Sequence, residues 1–445
     1  MSAAGDAPRA QPAGMAAGPA PVQTADAPCI DCLDQEPAAA RRKLAAPRQA
    51  AFWLLAFVFA ATMLGTTLPT PLYPFYQAQL HFSPAVVTVI FAVYAAGVLV
   101  ALLLAGRSSD QAGRKPVLAV ALGLSTLSTV VFILAPDVAA LLVARVLSGL
   151  SAGLMTGTAT AALTELVPAS ARRRASLVAT ATNMGGLGLG PLIAGLFAQF
   201  VPQPTVAVFE AYLAVLAVAG LCLLYIPETV RARRRLTLRL VRLYVPGQRR
   251  GEFLAAALAG FSAFSLLGLF SALAPTFLGD VLHEHHPAVQ GTVVFLMFGV
   301  GTLTQVLAVR LPSRRVMVSG LGLLLVALAL ITTALAQAAL GLFLTGTVVA
   351  GAAVGGVFLG SLATANRLAT PERRGQTIAT YFVACYGGLI IPVVGVGVAS
   401  AQIGDFAAVV SFSVLIAALC LVAVAGIRRT GVAPRSPRGP GQPDH

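Results

Sequence analysis

Four charged side chains fall within one ten-residue segment, Gly106–Lys115, which lies between two long apolar runs. A segment this polar, placed between runs of membrane-spanning length, is expected at the boundary between membrane and water. Asp110 suits a helix N-terminus, where the partial positive charge of the helix favours a carboxylate. Arg114 and Lys115 can form ion pairs, and Glu165 at the end of the fourth apolar run is the candidate partner. The segment therefore predicts an ion-paired cluster.

Two ionisable side chains, Arg145 and Glu210, lie inside apolar runs. An arginine inside a membrane is costly unless it faces water or a partner, so a functional role is the first hypothesis. Arg145 is expected either to change the proton affinity of a nearby carboxylate or to bind an anionic group of a substrate. The structural alternative is that its side chain extends to the outer interface. Glu210 is the candidate proton-coupling carboxylate, although its place near the outer end of a run also fits an interfacial side chain.

The other chemistry-bearing clusters predict neither a cofactor nor a metal site. Cys29 and Cys32 form a CxxC pair, but no second pair or nearby histidine completes a metal site, so free thiols are expected. The histidine-rich segment His283–His286 is interpreted as a solvated outer loop rather than a pH sensor or metal site. No HExxH, GxSxG or paired-Asp arrangement lies in the apolar runs, which argues against an enzyme.

Apolar runs dominate the chain and must position these side chains. Of the 445 residues, 57% are hydrophobic and 10% are charged, and the mean hydropathy is +0.85, which is too apolar for a soluble globular protein. One helical crossing of a membrane takes roughly 20 apolar residues. The sequence predicts an all-α polytopic membrane protein with twelve transmembrane helices, at about 51–72, 85–106, 116–135, 138–166, 175–200, 205–226, 251–277, 287–309, 314–336, 338–366, 376–401 and 405–427.

Basic residues lie on one side of these predicted helices. In a soluble protein the net charge of +14 would suggest nucleic acid as a partner. Here Lys and Arg cluster in alternate loops, whereas opposite loops such as 201–204 and 401–405 contain none. By the positive-inside rule both termini are predicted to be cytoplasmic, and no nucleic-acid partner is expected. Because Arg far outnumbers Lys, we expect a bacterial protein of the cytoplasmic (inner) membrane.

The predicted helices form two groups of six. Residues 1–50 and 428–445 are expected to be disordered cytoplasmic tails. A basic cytoplasmic linker, 227–250, separates an N-terminal half, 51–226, from a C-terminal half, 251–427. Two interpretations of the linker stay open, an amphipathic helix on the inner leaflet and a merely solvated segment. The helical spacing that favours the first is that of Arg231, Arg235, Arg239 and Arg242.

The two halves repeat one another. The glycine pair Gly149 and Gly153 recurs about 200 residues later as Gly351 and Gly355. Same-sense halves are expected to be related by an axis along the membrane normal, with a substrate site at their interface. Mostly apolar walls with few polar anchors suit lipophilic, drug-sized solutes. We expect the cavity to be lined by Tyr94, Asn183, Gln290, Gln305, Asn366, Tyr381 and Tyr386, with Phe261, Phe264, Phe270, Phe295 and Phe298.

The polar segment between the second and third runs resembles the loop that follows the second helix in the major facilitator superfamily of transporters. The residues that match are Gly106, Asp110, Gly113, Arg114 and Lys115. The resemblance implies that this loop latches the cytoplasmic face when the transporter opens outward. Gln111 departs from the pattern, because a basic residue usually stands there. The second half has only the degenerate counterpart Arg310–Arg315, which contains no acid.

Two further motifs extend the resemblance. Arg145 and Gly149 resemble the fourth-helix signature that the superfamily links to proton coupling, although Ser148 stands where Gln is usual. A motif in the fifth run resembles the signature of proton-driven exporters, with glycines for close packing and a proline that kinks the helix. Its residues are Gly186, Gly190, Pro191 and Gly195.

Together these motifs imply a secondary active transporter that exports amphipathic, drug-like small molecules by proton antiport with alternating access. The expected partners are a small-molecule substrate, protons and the lipid bilayer, and the expected active form is a monomer. Two alternatives stay open. One is an importer or facilitator of an organic anion or a sugar, with Arg145 as a substrate ligand. The other is a transport-dead membrane receptor or scaffold.

Overall fold

The computed structural model describes residues 47–105, 108–230 and 241–430. Within these residues the chain is helical without strands, and twelve helices are long and apolar enough to cross a membrane. The prediction of an all-α polytopic membrane protein is therefore confirmed. The helices are α1 (Arg48–Leu80), α2 (Pro84–Ala105), α3 (Arg114–Leu134), α4 (Val138–Glu165), α5 (Arg172–Phe200), α6 (Pro204–Tyr225), α7 (Arg250–Asp280), α8 (Pro287–Ala308), α9 (Ser313–Ala336), α10 (Leu340–Leu368), α11 (Arg374–Ile403) and α12 (Asp405–Thr430).

The first span is longer than predicted and is broken near its far end. Helix Arg48–Thr67 is followed by a 3-10 turn at Thr70–Leu72 and by helix Tyr73–Leu80. The break falls at Pro69, which has no N–H to continue the helical hydrogen bonds. Carbonyl groups of the last helical turn before the break thereby become available to donors from other helices.

Glycines give the two halves the same internal packing. A Cβ atom at Gly153 would lie 2.7 Å from the carbonyl oxygen of Val98, so α4 contacts α2 at backbone distance. In the second half a Cβ atom at Gly351 would lie 2.6 Å from the carbonyl oxygen of Met297, which places α10 against α8 in the same way. Small residues that allow such close approach are typical of helix interfaces in membranes. The glycine repeat of the sequence thus corresponds to repeated helix pairs.

The halves contact each other through α5 with α8 and through α2 with α11. We call the face with the α2–α3, α4–α5 and α6–α7 connections the basic face. On the opposite face, a Cβ atom at Gly195 would lie 3.2 Å from the Cα atom of Gly291, and one at Gly397 would collide with Thr88. These close contacts join α5 to α8 and α2 to α11 near their ends. The opposite face is therefore the closed one.

The described end of the linker forms no amphipathic helix. Residues 241–246 are not helical, so of the two open interpretations the amphipathic helix does not hold at Arg242; the residues before position 241 lie outside the described part of the linker. Instead the backbone N–H of Val241 donates to the carbonyl of Leu103 at 3.0 Å. The N–H of Tyr244 donates to the hydroxyl of Thr380 at 2.8 Å. This part of the linker consequently bonds to α2 of one half and to α11 of the other.

Candidate functional site

A cavity of about 380 Å³ lies between the two halves. It is lined by α1, α2, α4 and α5 from the N-terminal half and by α7, α8, α10 and α11 from the other. Its walls reach Leu102 near the end of α2, Ser176 in the second turn of α5 and Leu362 late in α10. All three positions are close to the basic face. The cavity therefore occupies the part of the bundle between the closed contacts and the basic face.

Five of the twelve side chains expected in the cavity line it, namely Tyr94, Asn183, Phe264, Phe298 and Tyr386. The others are used elsewhere: the hydroxyl of Tyr381 is 2.7 Å from that of Ser361, and Phe270 packs against Phe343. The expected residues that do not line it are Phe261, Phe270, Gln290, Phe295, Gln305, Asn366 and Tyr381. Three lining aromatic residues were missed, Phe91, Phe358 and Phe382, although Phe382 lies four residues before Tyr386, on the same helical face.

The lining of this cavity is uncharged, with no Asp, Glu, Lys, Arg or His among its residues. Aromatic rings form one wall, where the ring of Phe264 lies 5.6 Å from Phe358 and 5.7 Å from Tyr386. Asn183 supplies an amide, and its buried Oδ1 has no hydrogen-bond partner among the described residues. Such a surface can hold an uncharged amphipathic molecule by aromatic contact and one or a few hydrogen bonds.

Arg145 is fully buried behind the wall of this cavity. Its Nε donates to the hydroxyl of Tyr73 at 2.7 Å, and its Nη1 donates to the carbonyl of Thr66, next to the break in α1, at 2.6 Å. The guanidinium carbon lies 5.6 Å from the ring centre of Tyr94, which itself lines the cavity. Its Nη2 has no hydrogen-bond partner in the described part of the chain. The burial excludes extension to the interface as its role.

No carboxylate neutralises Arg145 among the described residues, since its polar partners are a phenol and a carbonyl group. Three aromatic rings surround the guanidinium, and the third is Phe132, 5.7 Å from its carbon atom. Arginine over an aromatic face gains cation–π stabilisation, which increases when the pair is removed from water. The result is a net positive charge that is separated from the cavity by the ring of Tyr94. Its roles in proton coupling and in substrate binding remain predictions.

Glu210 is not brought to the cavity or to Arg145. It is exposed on α6, whereas its neighbour Phe209 is buried and stacks on Phe132 with ring centres 5.0 Å apart. The bundle therefore turns the preceding ring inward and leaves the carboxylate on the outer surface. The geometry gives Glu210 no contact with a substrate in the cavity.

On the basic face, Arg114 joins two acids at the first turn of α3. Its Nη2 and Nε face the two oxygens of Glu165 at 2.7 and 3.3 Å, and its Nη1 lies 2.5 Å from Asp110 Oδ1. Bidentate pairs of this kind between arginine and a carboxylate are geometrically specific. The structure thus brings Asp110 and Arg114 together with Glu165, the expected partner at the end of α4. Gly106 lies outside the described residues.

The sequence interpretation missed a third acid in this cluster, Glu228, which follows α6. Its Oε1 accepts from the backbone N–H of Arg114 at 2.8 Å and its Oε2 from that of Lys115 at 3.2 Å. A carboxylate at a helix N-terminus satisfies free N–H groups and complements the helix dipole. Gly113 has φ +104°, and a Cβ atom there would lie 2.5 Å from Glu228 Oε2, so glycine is required twice over.

Lys115 reaches α6 rather than Glu165. Its Nζ donates to the carbonyls of Leu224 and Ile226 at 2.7 and 3.0 Å, at the C-terminal end of that helix. In the other half, Arg314 holds the corresponding position in α9 and donates to the carbonyl of Ile427 at 3.1 Å. The two basic residues therefore bind equivalent helix ends in the two halves.

The second half forms a different charged contact at the start of α7. Glu252 forms an ion pair with Arg367 near the end of α10, and Arg367 also donates to the hydroxyl of Ser313 at 3.2 Å. The helices α4 and α10 are equivalent in the two halves, and α10 carries an arginine near its end whereas α4 ends in Glu165. The second half thus has a charged contact of its own, in which the base is at the end of α10 and the acid is at the start of α7.

The glycine and proline motif of α5 lies in two helix interfaces. A Cβ atom at Gly186 would lie 2.7 Å from both the carbonyl oxygen of Ala60 and the Cβ of Met63, so this face of α5 contacts α1. One turn further, Gly190 lies against α1 as well, and Gly195 lies against α8 of the other half. Substitution at Gly195 would act directly on the contact between the halves, whereas substitution at Gly186 or Gly190 would act on the packing of α5 against α1 within one half.

The described residues contain no cluster of His, Cys, Asp and Glu that could hold a metal ion. In the loop between α7 and α8, the backbone N–H of His286 donates to Glu284 at 3.1 Å, and the His286 ring lies 2.6 Å from the same oxygen. These contacts lower the pKa of the Glu284 carboxyl. Cys29 and Cys32 lie outside the described residues.

Comparison with known proteins gives partial sequence matches. An uncharacterized MFS-type transporter of Mycobacterium tuberculosis is 32% identical over 146 residues, which is 33% of this chain and 25% of that protein. Multidrug resistance protein 2 of Bacillus subtilis is 29% identical over 147 residues, which is 33% of this chain and 36% of that protein. The matches thus span about a quarter to a third of the length of these curated relatives.

Solved structures match over more of the chain. The human organic anion transporter MFSD10 has a TM-score of 0.63 at 18% identity, covering 85% of this chain and all of that one. An inward-facing bacterial homologue of the human lysosomal transporter Spinster has a TM-score of 0.64 at 15% identity, covering 88% and 99%. At these identities the likeness shows the fold alone. The family model described as Major Facilitator Superfamily matches residues 55–391, most of the chain, and the protein is therefore a member of that superfamily of membrane transporters.

Proposed function

We propose that this transporter exports uncharged amphipathic small molecules by alternating access, in exchange for protons. The observation that carries the proposal is the uncharged, aromatic cavity between the two halves, closed at one face and reaching toward the other. Its volume of about 380 Å³ falls in the range of pockets that hold drug-sized ligands. The basic face is the cytoplasmic one in this proposal, by the positive-inside rule.

The proposed direction of transport is supported by the motif in α5 and by the name of one relative with partial similarity. The motif from Gly186 to Gly195 resembles the exporter signature, and it lies where the halves meet. One curated relative with partial similarity is a multidrug resistance protein. In our proposal a solute enters the cavity from the cytoplasm, the contacts of α5 with α8 and of α2 with α11 separate, and the basic face closes.

The uncharged cavity has an electrical consequence. Because its described walls carry no carboxylate, the solute and the proton would not compete for one acidic group. Export of an uncharged solute against an entering proton moves one net positive charge inward. Transport should therefore respond to the membrane potential as well as to the pH difference, with a voltage contribution of about 2.3 kcal/mol per charge for each 100 mV.

A second candidate is a facilitator of organic anions. It is favoured by Arg145, whose positive charge has no acidic partner in the described residues and lies one tyrosine ring from the cavity. A structural neighbour is an organic anion transporter. A membrane receptor without transport activity is a third alternative, from a different class.

One experiment separates these candidates. Purified protein in liposomes would be offered three fluorescent amphipathic solutes of similar size, one uncharged, one anionic and one cationic, across an imposed pH difference. We expect the uncharged solute to be transported, and Asn183→Leu to reduce its transport by tenfold or more, while the same change at Asn366, which does not line the cavity, leaves it within twofold. Preferential transport of the anion would replace the proposal by the second candidate. No movement of any solute would support the receptor.

A further inference from the structure

A second pocket, of about 430 Å³, lies at the basic face between the start of α1 and the connection from α4 to α5. It is separate from the transport cavity and shares no lining residue with it. Its floor is apolar and buried, with Phe52, Leu166 and Ala175 less than a tenth exposed. Nothing in the proposed transport cycle uses this pocket.

Two exposed arginines, Arg48 and Arg174, line the pocket. They come from the first turns of α1 and α5, which contain no acid, so the helix dipoles add positive potential there. Within the described residues neither guanidinium forms an ion pair, in contrast to Arg114 and Arg367 on the same face. The pocket thus combines an apolar floor with two cationic side chains that form no ion pair within the described part of the chain.

Trp53 forms another part of the wall and is half exposed. It stands five residues after Arg48, at the beginning of the first membrane span. Tryptophan is enriched at the level of lipid headgroups, because its ring is apolar and its N–H is polar. Trp53 therefore places the pocket at the boundary where headgroups meet acyl chains.

We propose that this pocket binds an anionic phospholipid of the adjacent leaflet. The phosphate lies between Arg48 and Arg174, whose guanidinium groups match phosphate geometry. The upper acyl chain lies on Phe52 and beside Trp53. The apolar floor distinguishes a lipid from a soluble anion, which would gain nothing from that surface. The site does not depend on the identity or direction of the transported solute.

Trp53 is the only tryptophan of the chain, so the tryptophan fluorescence reports on the surroundings of this one side chain in the pocket wall. The protein would be reconstituted in phosphatidylcholine containing increasing fractions of phosphatidylglycerol with brominated acyl chains, and bromine quenching of Trp53 would be measured. Brominated phosphatidylcholine serves as the uncharged reference. We expect phosphatidylglycerol to associate more tightly by roughly fivefold for each arginine.

The variants test the assignment of the residues. In the double variant Arg48→Gln, Arg174→Gln, both brominated lipids should quench Trp53 equally. The single variant Arg174→Gln should show an intermediate preference for phosphatidylglycerol. Arg172→Gln is the matched control, because this exposed arginine in the same turn does not line the pocket. These changes lie at the surface, and thermal unfolding would verify that each variant is folded. Trp53→Phe gives the background signal.

Three results would overturn the proposal. Equal quenching by both lipids in the unsubstituted protein would remove the preference for an anion. An equal loss of preference in Arg172→Gln would show general surface charge instead of a defined site. Relief of quenching by excess inorganic phosphate would assign the arginines to a soluble anion rather than to a lipid.

Discussion

At the scale of single residues, Arg145 holds the broken end of α1 against α4. Its two hydrogen bonds go to Thr66 and Tyr73, on either side of the break. We expect Arg145→Gln to lower the free energy of unfolding, because each buried group left without a partner costs about 1–3 kcal/mol. Arg145→Lys should restore little of the lost stability, since a compact ammonium group cannot reproduce the planar geometry by which the guanidinium donates to both acceptors.

Thermal unfolding and solute transport in liposomes check this prediction together. Both variants should unfold at lower temperature and lose most transport. The role assigned to Arg145 would be contradicted if the lysine variant kept full transport and full stability.

The acids of the chain differ in what they contact, and this difference predicts their effects. Glu165→Gln leaves Arg114 with a weaker partner at the basic face, where the pair is partly buried. We expect the interaction between Arg114 and residue 165 to lose about 1–2 kcal/mol of stabilising free energy, a value between those of exposed and buried ion pairs. Such a change shifts the balance between two open states by roughly 5- to 30-fold. The transport rate should fall while substrate preference stays the same.

Glu210→Gln is the matched control for that variant, because Glu210 is exposed and lines no part of the cavity. Its transport rate should stay within twofold of the unsubstituted protein, and its dependence on pH should be unchanged. A loss of proton-coupled transport in Glu210→Gln would restore the role that the sequence suggested for this carboxylate, and its position on the outer surface of α6 would then have to change during the cycle.

At the scale of helices, the contact of α5 with α8 holds the opposite face closed. Gly195→Ala would insert a methyl group against Pro287 and Gly291, with backbone atoms on the other side that have little room to move. We expect this substitution to disfavour the closed contact and to increase the population that is open at the opposite face. Gly185→Ala, in the same helix, has no atom within 4 Å of the added group and should behave as the unsubstituted protein.

Accessibility of a cysteine placed at Asn183 to a membrane-impermeant reagent from each side would measure this shift. Labelling from the opposite face should increase in the Gly195→Ala background and stay unchanged in the Gly185→Ala background. Equal labelling in both backgrounds would show that this contact does not control access to the cavity.

The helices themselves were predictable, because apolar length and charge asymmetry are local properties of the chain. The partner of Arg114 was also predictable, since Glu165 ends the next helix of the same face. The contact of Glu228 with Arg114 and that of Glu252 with Arg367 were not, because each joins residues more than a hundred positions apart in the sequence. Membership of the cavity wall was predicted for only part of its residues. Which face of a helix meets the cavity depends on packing, and helices apolar all round carry little periodic signal.

At the scale of the whole molecule, the two halves meet around a cavity without charge, and charged contacts are concentrated at the basic face. This separation predicts that salt and pH act on cycling more than on substrate binding. Substrate affinity measured at equilibrium should change by less than about threefold between low and high ionic strength, because uncharged contacts are not screened. A strong decrease of affinity with salt would indicate an anionic substrate attracted by Arg145.

In the proposed cycle an uncharged solute leaves as a proton enters. This exchange would be measured by imposing a gradient of the transported solute across liposomes that contain a pH-sensitive dye, with no initial pH difference and with the membrane potential clamped. We expect protons to move opposite to the solute and Glu165→Gln to slow both movements equally. Movement of the solute without protons, or of protons in the same direction as the solute, would contradict the proposed exchange.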